Sequence, residues 1–252
     1  MGKRFFSNQM YSKHFFQKNL THSRLSFTFV TMNILVEKIL RQPNAPLMLQ
    51  ELTDAIEQEH ARRLSFYSWI DANKKAEFIN GRVVIHSPAK KRHLTVTKLL
   101  SRLISFYSDV KDLGETFYEK AMIALTRNDY EPDIVFFSKE KAAIFDEDQV
   151  LFPAPDFVVE ILSKSTQKMD KTIKKEDYAA HGIQEYWIID PIKQTIEQYL
   201  LLKPSDTIYF EPYSYRVGEE ITSKVIEGFT IPVAAIFDEK ENVLALQELM
   251  KL

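Results

Sequence analysis

The sequence predicts an α/β fold, a mixed β-sheet flanked by helices and preceded by an N-terminal helical and basic extension. Three observations predict it. The run Ala76-Glu77-Phe78-Ile79-Asn80-Gly81-Arg82-Val83-Val84-Ile85 places Asn-Gly between two apolar stretches, the strongest short hairpin signal. Strand-like runs follow around residues 117–125, 132–137, 156–162, 185–190 and 194–202. Between the third and fourth of these, a helical stretch from about Thr166 to His181, stopped near Gly182, has the length of a crossover. Together they read as strands in one mixed sheet with helices on its faces.

The elements follow in chain order. Residues 1–36 carry Lys3, Arg4, Lys13, Lys18 and Arg24 with no Asp or Glu. The segment lacks the apolar stretch and small-residue cleavage site of a secretory signal. Three readings are open for it: a start assigned upstream of Met32, a flexible basic arm that touches phosphate, or an organelle address. Residues 1–45 are therefore set apart as an extension from a domain spanning 46–252. From Pro46 to Asp71, Leu49, Leu52, Ile56, Leu64 and Tyr67 recur at helical spacing, with Thr53 or Asp54 as caps. Leu94, Leu99, Leu100, Leu103, Ile104 and Tyr107 make residues 92–107 a helix after the hairpin. Glu211 to Asp238 reads as short strands and turns.

Composition bounds the function. At 252 residues with 45% hydrophobic and 12% aromatic content, the chain builds one sizeable core. No stretch approaches the roughly 18 apolar residues of a membrane-spanning helix, so no membrane partner is expected. The absence of cysteine excludes disulfides and thiolate chemistry and fits a reducing compartment, with the cytoplasm as the default. A net charge of −2 argues mildly against a nucleic-acid binder, although positive charge confined to a groove leaves the total near neutral. No P-loop, Rossmann glycine pattern or zinc-ligand cluster is present.

Two runs carry the chemistry: Glu131-Pro132-Asp133-Ile134-Val135-Phe136-Phe137 and Ala154-Pro155-Asp156-Phe157-Val158-Val159-Glu160-Ile161-Leu162. Each sets an acid in or beside an apolar strand, where an unpaired carboxylate is costly to desolvate. If the strands are neighbours, Asp133 and Glu160 converge and share a divalent cation. Oxygen ligation suits Mg²⁺ or Mn²⁺. The bland alternative is a strand-end carboxylate paired with a lysine. Asp170, Lys174 and Tyr178 lie four apart on one helix face, a spacing that equally describes an ordinary surface ion pair. Asp156 shares strand parity with Glu160, but four strand residues span about 13 Å, too far for one ion, and its expected part is structural.

The run PDFVVEILSKSTQKMDKTIKKEDYAAHGIQEYWIIDP, with EPDIVFF, EFINGRVV and IEGFTIPVAAIF elsewhere, resembles the Uma-two family of restriction endonucleases, a branch of the PD-(D/E)XK nuclease superfamily. The resemblance covers about residues 60–238 and implies a restriction-endonuclease-like fold for the 46–252 domain. It also implies a Mg²⁺-dependent (or Mn²⁺-dependent) endonuclease acting on DNA. Asp133 matches the first metal-binding acid and Glu160 the second. The superfamily's lysine is missing, since Leu162 stands two residues after Glu160. Lys174 on the next helix is the residue that matches, with Lys175 as its fallback. Glu77 matches a recurrent acid that completes the metal site, against the alternative of a surface pair with Lys74 or Lys75. His93 matches a histidine that contacts phosphate or substrate, against a capping or packing role. Lys168, Lys171, Lys174 and Lys175 with Lys90, Lys91 and Arg92 form either a phosphate-binding rim or a solvated face. Tyr186 and Trp187 read as core. Cleavage of duplex DNA points to a homodimer. Two rivals stay open: a catalytically silent nucleic-acid-binding or protein-interaction module on the same fold, favoured by Leu162, and an enzyme using the same acids on another phosphate substrate.

Overall fold

The computed structural model describes residues 27–251; the basic side chains before residue 27, and the readings attached to them, lie outside the described residues. The chain divides into two compact units, Met1–Lys74 and Lys75–Leu252. The first contains helices α1 (Phe27–Leu40) and α2 (Ala45–Trp69). Helix α2 matches the expected span, but its start is Asn44 followed by Pro46 in the first turn, not Thr53 or Asp54. Proline suits that position because the first-turn N–H groups have no intrahelical acceptor. The Thr53 hydroxyl donates back to Leu49 O at 2.9 Å, and Asp54 accepts from Gln50 Nε2 at 2.6 Å. Both are mid-helix contacts.

The second unit opens with strands β1 (Ala76–Ile79) and β2 (Arg82–Ile85), paired Ile79 to Arg82. Asn80 (φ 49°) and Gly81 (φ 77°) are both left-handed, as the two-residue turn matching strand twist requires. Helix α3 (Lys91–Lys111) follows, burying Val96, Leu99, Leu100, Leu103, Ile104 and Tyr107, while Leu94 of the expected stripe is exposed. Then come β3 (Gly114–Tyr118), β4 (Met122–Ala124), β5 (Asp129–Tyr130), β6 (Ile134–Ser138), the short α4 (Lys139–Ala142), β7 (Leu151–Phe152) and β8 (Phe157–Ile161). The crossover is α5 (Gln167–Met169), a π-helical segment Asp170–Lys174 and α6 (Lys175–Ala180). Strands β9 (Glu185–Asp190), β10 (Thr195–Leu200), β11 (Tyr213–Arg216), β12 (Glu220–Thr222) and β13 (Thr230–Pro232) precede a 3₁₀ turn (Val233–Ile236) and helix α7 (Glu239–Leu249).

The strands form three sheets rather than one. The central sheet runs β11-β10-β9-β8-β6-β3 and is mixed, its one parallel pair, β8 with β9, being the pair joined by the crossover. A second sheet, β2-β1-β5-β4-β7, holds the hairpin, and β12-β13 stand apart. The expected strand at 117–125 is thus split, β3 in one sheet and β4 in another, with a sharp turn at Glu119 (φ 71°) between them.

Alternating residues of the central strands feed two cores. Ile134, Phe136, Val159, Ile161, Trp187 and Ile189 pack with residues of α3 and α7. Val135, Phe137, Val158, Tyr186 and Ile188 pack with Tyr178, Ala179, Ile79, Ile123 and Tyr130. Tyr186 and Trp187 are core, as expected from the sequence. Among the described residues, no helix is long and apolar enough to cross a membrane.

Candidate active site

Strands β6 and β8 are antiparallel neighbours with Ile134 opposite Val159. Continuing that register by one residue sets Asp133 opposite Glu160, on the face that carries Val135 and Val158. Both acids are 5% exposed. Asp133 Oδ2 accepts the backbone N–H of Ile161 at 2.8 Å, while its Oδ1 lies 3.0 Å from His93 Nε2 and 3.6 Å from Lys75 Nζ. Burial works to raise this carboxyl, but His93, Lys75 and the Ile161 N–H outweigh it and hold it below its ordinary range.

The crossover helix closes the same face from above. The Asp170–Lys174 segment is wound as a π-helix, a local widening often found at functional sites. Asp170, Lys174 and Tyr178 all point inward and are buried, so the pair 170/174 is no surface ion pair. Lys174 Nζ donates to Glu77 Oε1 at 2.8 Å and to Glu160 Oε1 at 2.9 Å, with Asp170 Oδ1 at 3.6 Å. Tyr178 OH donates to Glu160 Oε1 at 2.9 Å. Glu77 is fully buried, so its alternative as a surface partner of Lys74 or Lys75 does not hold. Its second oxygen, Oε2, faces His86 Nε2 at 3.1 Å.

These carboxylates differ in charge balance. Burial raises Glu77, but Lys174 and His86 prevail and keep it below its ordinary value. Glu160 is pushed well above its ordinary value, first by burial and then by Asp170, Asp133 and Glu77, against the attraction of Lys174. Asp170 is raised too, first by burial and then by Glu77 and Asp133, against Lys174 and Thr166. Lys174 itself is driven upward because Glu160, Glu77 and Asp170 overcome its desolvation.

A second group lies at the outer edge of Asp133. One ligand atom each from His93, Glu119 and Asp133 lies within 4.8 Å of the others. Glu119 occupies the β3–β4 turn in a left-handed conformation that non-glycine residues adopt at a cost, and its N–H donates to Asp133 O at 3.1 Å. Lys75 donates to Glu119 Oε2 at 3.2 Å. Two carboxylates and an imidazole are a workable donor set for a divalent cation, and the imidazole departs from the oxygen-only set expected from the sequence.

The structure thus brings Asp133, His93, Glu160, Lys174 and Glu77 into one region and adds Glu119 and Lys75. The sequence marked Glu119 only as part of a strand; the polar pair Glu119-Lys120 inside an apolar run was the available sign of a turn. Lys175 stands apart, its ammonium 5.3 Å above the Tyr199 ring. Of the basic rim, Lys174 is buried and Lys171 is paired with Glu197 at 2.5 Å, whereas Lys90, Lys91, Arg92 and Lys168 are exposed. Asp156 is structural, accepting the Ser138 N–H and the Lys141 ammonium, both at 2.8 Å. Leu162, where the superfamily pattern has lysine, packs against the core.

Comparison with known proteins agrees with this architecture. A protein of Synechocystis sp., sll1609, described as uncharacterized, is 29% identical over 135 residues, which is 51% of this chain and 73% of the relative. A crystal structure from Anabaena variabilis, described as "a putative nuclease belonging to DUF820", superposes with a TM-score of 0.59 at 19% identity, covering 68% of this chain and 94% of that one, and shows a shared fold. Residues 63–234 match the Uma2 family model, described as "Putative restriction endonuclease", and the chain belongs to that family.

Proposed function

We propose that the chain is a metal-dependent endonuclease hydrolysing DNA phosphodiester bonds, with Asp133 as the acid that touches the ion and Glu160, opposite it, held by Lys174 and Tyr178 at the margin of the site. One observation carries this reading. Asp133 and Glu160 oppose each other on neighbouring strands within a group of four buried carboxylates, Glu77, Asp133, Glu160 and Asp170; buried Lys174 pairs with Glu77, Glu160 and Asp170, whereas Asp133 has only the half-buried His93 and Lys75 beside it among the described residues. Buried charge of one sign is unfavourable, and a divalent cation beside Asp133 relieves it. The His93–Glu119–Asp133 donors fit such an ion and favour Mn²⁺ over Mg²⁺, because imidazole is the softer ligand. When bound, the ion supplies Lewis-acid polarisation of the phosphate and acidifies a water.

The chain's own groups divide the remaining work. His93 and the Ile161 N–H orient Asp133. Lys174, clamped between Glu77 and Glu160, fixes the Glu160 carboxylate and acts as a positioning residue. Glu77 acts through Lys174, which its Oε1 holds, while its Oε2 lies 3.1 Å from His86 Nε2 without a hydrogen bond. Exposed Lys90, Lys91 and Arg92, just ahead of His93 in α3, suit contacts to DNA phosphates; Lys175 has no such placement. Two copies acting about the two-fold of a duplex, in a reducing cytoplasm, complete the reading.

The test is Mg²⁺- and Mn²⁺-dependent cleavage of supercoiled and linear DNA by wild type, Asp133→Ala and Glu160→Ala, each checked for folding by circular dichroism. Wild type should cut only with metal, and each variant should lose on the order of 10²-fold or more. The core packing of Leu162 favours a second reading, a silent binding module. A folded wild type that neither cuts nor shows heat of metal binding in calorimetry would overturn the catalytic reading and favour that module instead.

A further inference from the structure

Two lysines border the acidic group, and they differ in what they can reach. Lys174 has a side chain 2% exposed, and its ammonium is committed to Glu77 and Glu160 with Asp170 beyond. The Tyr130 ring stands 5.6 Å from the same ammonium. Two of its three hydrogens are committed to carboxylates, and its burial closes it off from an incoming anion. Lys75 has a side chain 27% exposed, with its ammonium 3.2 Å from Glu119 and 3.6 Å from Asp133. Its backbone is pinned where the hairpin begins, since Lys75 O accepts the His86 N–H at 3.0 Å. It therefore stands on the solvent side of the donor group, held by a rigid element.

We infer that Lys75 is the phosphate-contacting lysine of this site: its ammonium leaves Glu119 and Asp133 when a cation binds there and pairs with a non-bridging oxygen of the substrate phosphodiester. The physical reason is charge exchange. An ion at His93, Glu119 and Asp133 takes over the carboxylates that now hold the ammonium and repels it, and the nearest new anion is the phosphate that the ion draws in. The inference rests on the nuclease reading above.

The experiment uses the full chain, with a short fluorescein-labelled DNA duplex as probe and Ca²⁺ in place of Mg²⁺ so that intact duplex, checked on a gel, reports binding alone. Anisotropy across a salt series compares wild type, Lys75→Gln and Lys75→Arg. Loss of one phosphate contact should reduce the slope of log K against log salt by about 0.9 in Lys75→Gln, while Lys75→Arg should keep the wild-type slope. With Mn²⁺, kcat of Lys75→Gln should fall on the order of 10²-fold, and calorimetry should show Mn²⁺ binding retained or tightened, because a competing cation has been removed. The metal affinity reports only the lost competition for the carboxylates; the salt slope is what separates a phosphate contact from a merely structural lysine. Should Lys75→Gln unfold, Lys75→Met, which keeps length without charge, takes its place. An unchanged salt slope and unchanged cleavage in a folded variant of an active wild type would overturn the role of Lys75 and leave the nuclease reading standing. A wild type that neither binds nor cuts DNA would remove both.

Discussion

Lys174 shows how one residue decides whether its surroundings hold. Its ammonium is the direct partner of Glu77 and Glu160 and the nearest cation to Asp170, and all four residues are buried. Lys174→Met removes the partner and leaves its carboxylates desolvated, so unfolding free energy should drop by about 3–5 kcal/mol. Adding Glu160→Gln, which removes one stranded charge, should recover part of that loss. Urea unfolding of the two variants checks both statements; equal stability of wild type and Lys174→Met would show that the clamp holds nothing. Residue-level meaning was only partly legible in the sequence. Spacing places Asp170, Lys174 and Tyr178 on one face, and the resemblance to a nuclease family singles out Lys174. That the face is buried, and that Lys75 rather than Lys174 meets solvent, depends on residues far along the chain.

Among the elements, the edge of the central sheet depends on an approach that only glycine permits. Gly114 begins β3 at φ 149°, and a Cβ there would lie 2.0 Å from Phe137 O and 2.9 Å from Lys139 N, both backbone atoms. Gly114→Ala must therefore separate β3 from β6, and with it the turn that presents Glu119 beside Asp133. We expect a loss of about 2 kcal/mol or more and a weaker Mn²⁺ affinity, measured by thermal unfolding and calorimetry. Unchanged values would mean that β3 shifts freely. Most elements follow from local pattern: the Asn80-Gly81 hairpin, the α3 stripe and the crossover. Strands β5 and β7 do not, since two-residue strands have no periodicity to read; α7 is marked locally by its Asp238 cap, whose side chain accepts from Lys240 N and Glu241 N.

For the molecule as a whole, a bridge from the crossover helix to the second sheet carries a pH dependence. Asp177 in α6 accepts from Asn128 Nδ2 at 2.7 Å and Tyr130 OH at 2.8 Å, tying the crossover to β5. Burial opposes ionisation there, but His181, Asn128 and Tyr130 prevail and hold the carboxyl below its ordinary value. A depressed carboxyl contributes stability that is full above its unfolded value, about 3.9, and is lost as pH falls through the folded one. Asp177→Asn should thus cost about 1.5–3 kcal/mol at pH 7, and its deficit relative to wild type should shrink steadily below pH 4. Paired melting curves at pH 7 and pH 3 measure it; a deficit independent of pH would assign the effect to packing.

The sequence by itself determined the alternation of apolar runs, the hairpin turn, the α/β class and the order of the acids Asp133 and Glu160, because these are properties of neighbours along the chain. Tertiary structure alone decided that the strands divide among separate sheets, that Glu119 and Lys75 join Asp133, and that Lys174 is sealed among carboxylates. Each of those outcomes rests on residues many positions apart, brought together by β-pairing and burial, and local chemistry carries no record of such pairings.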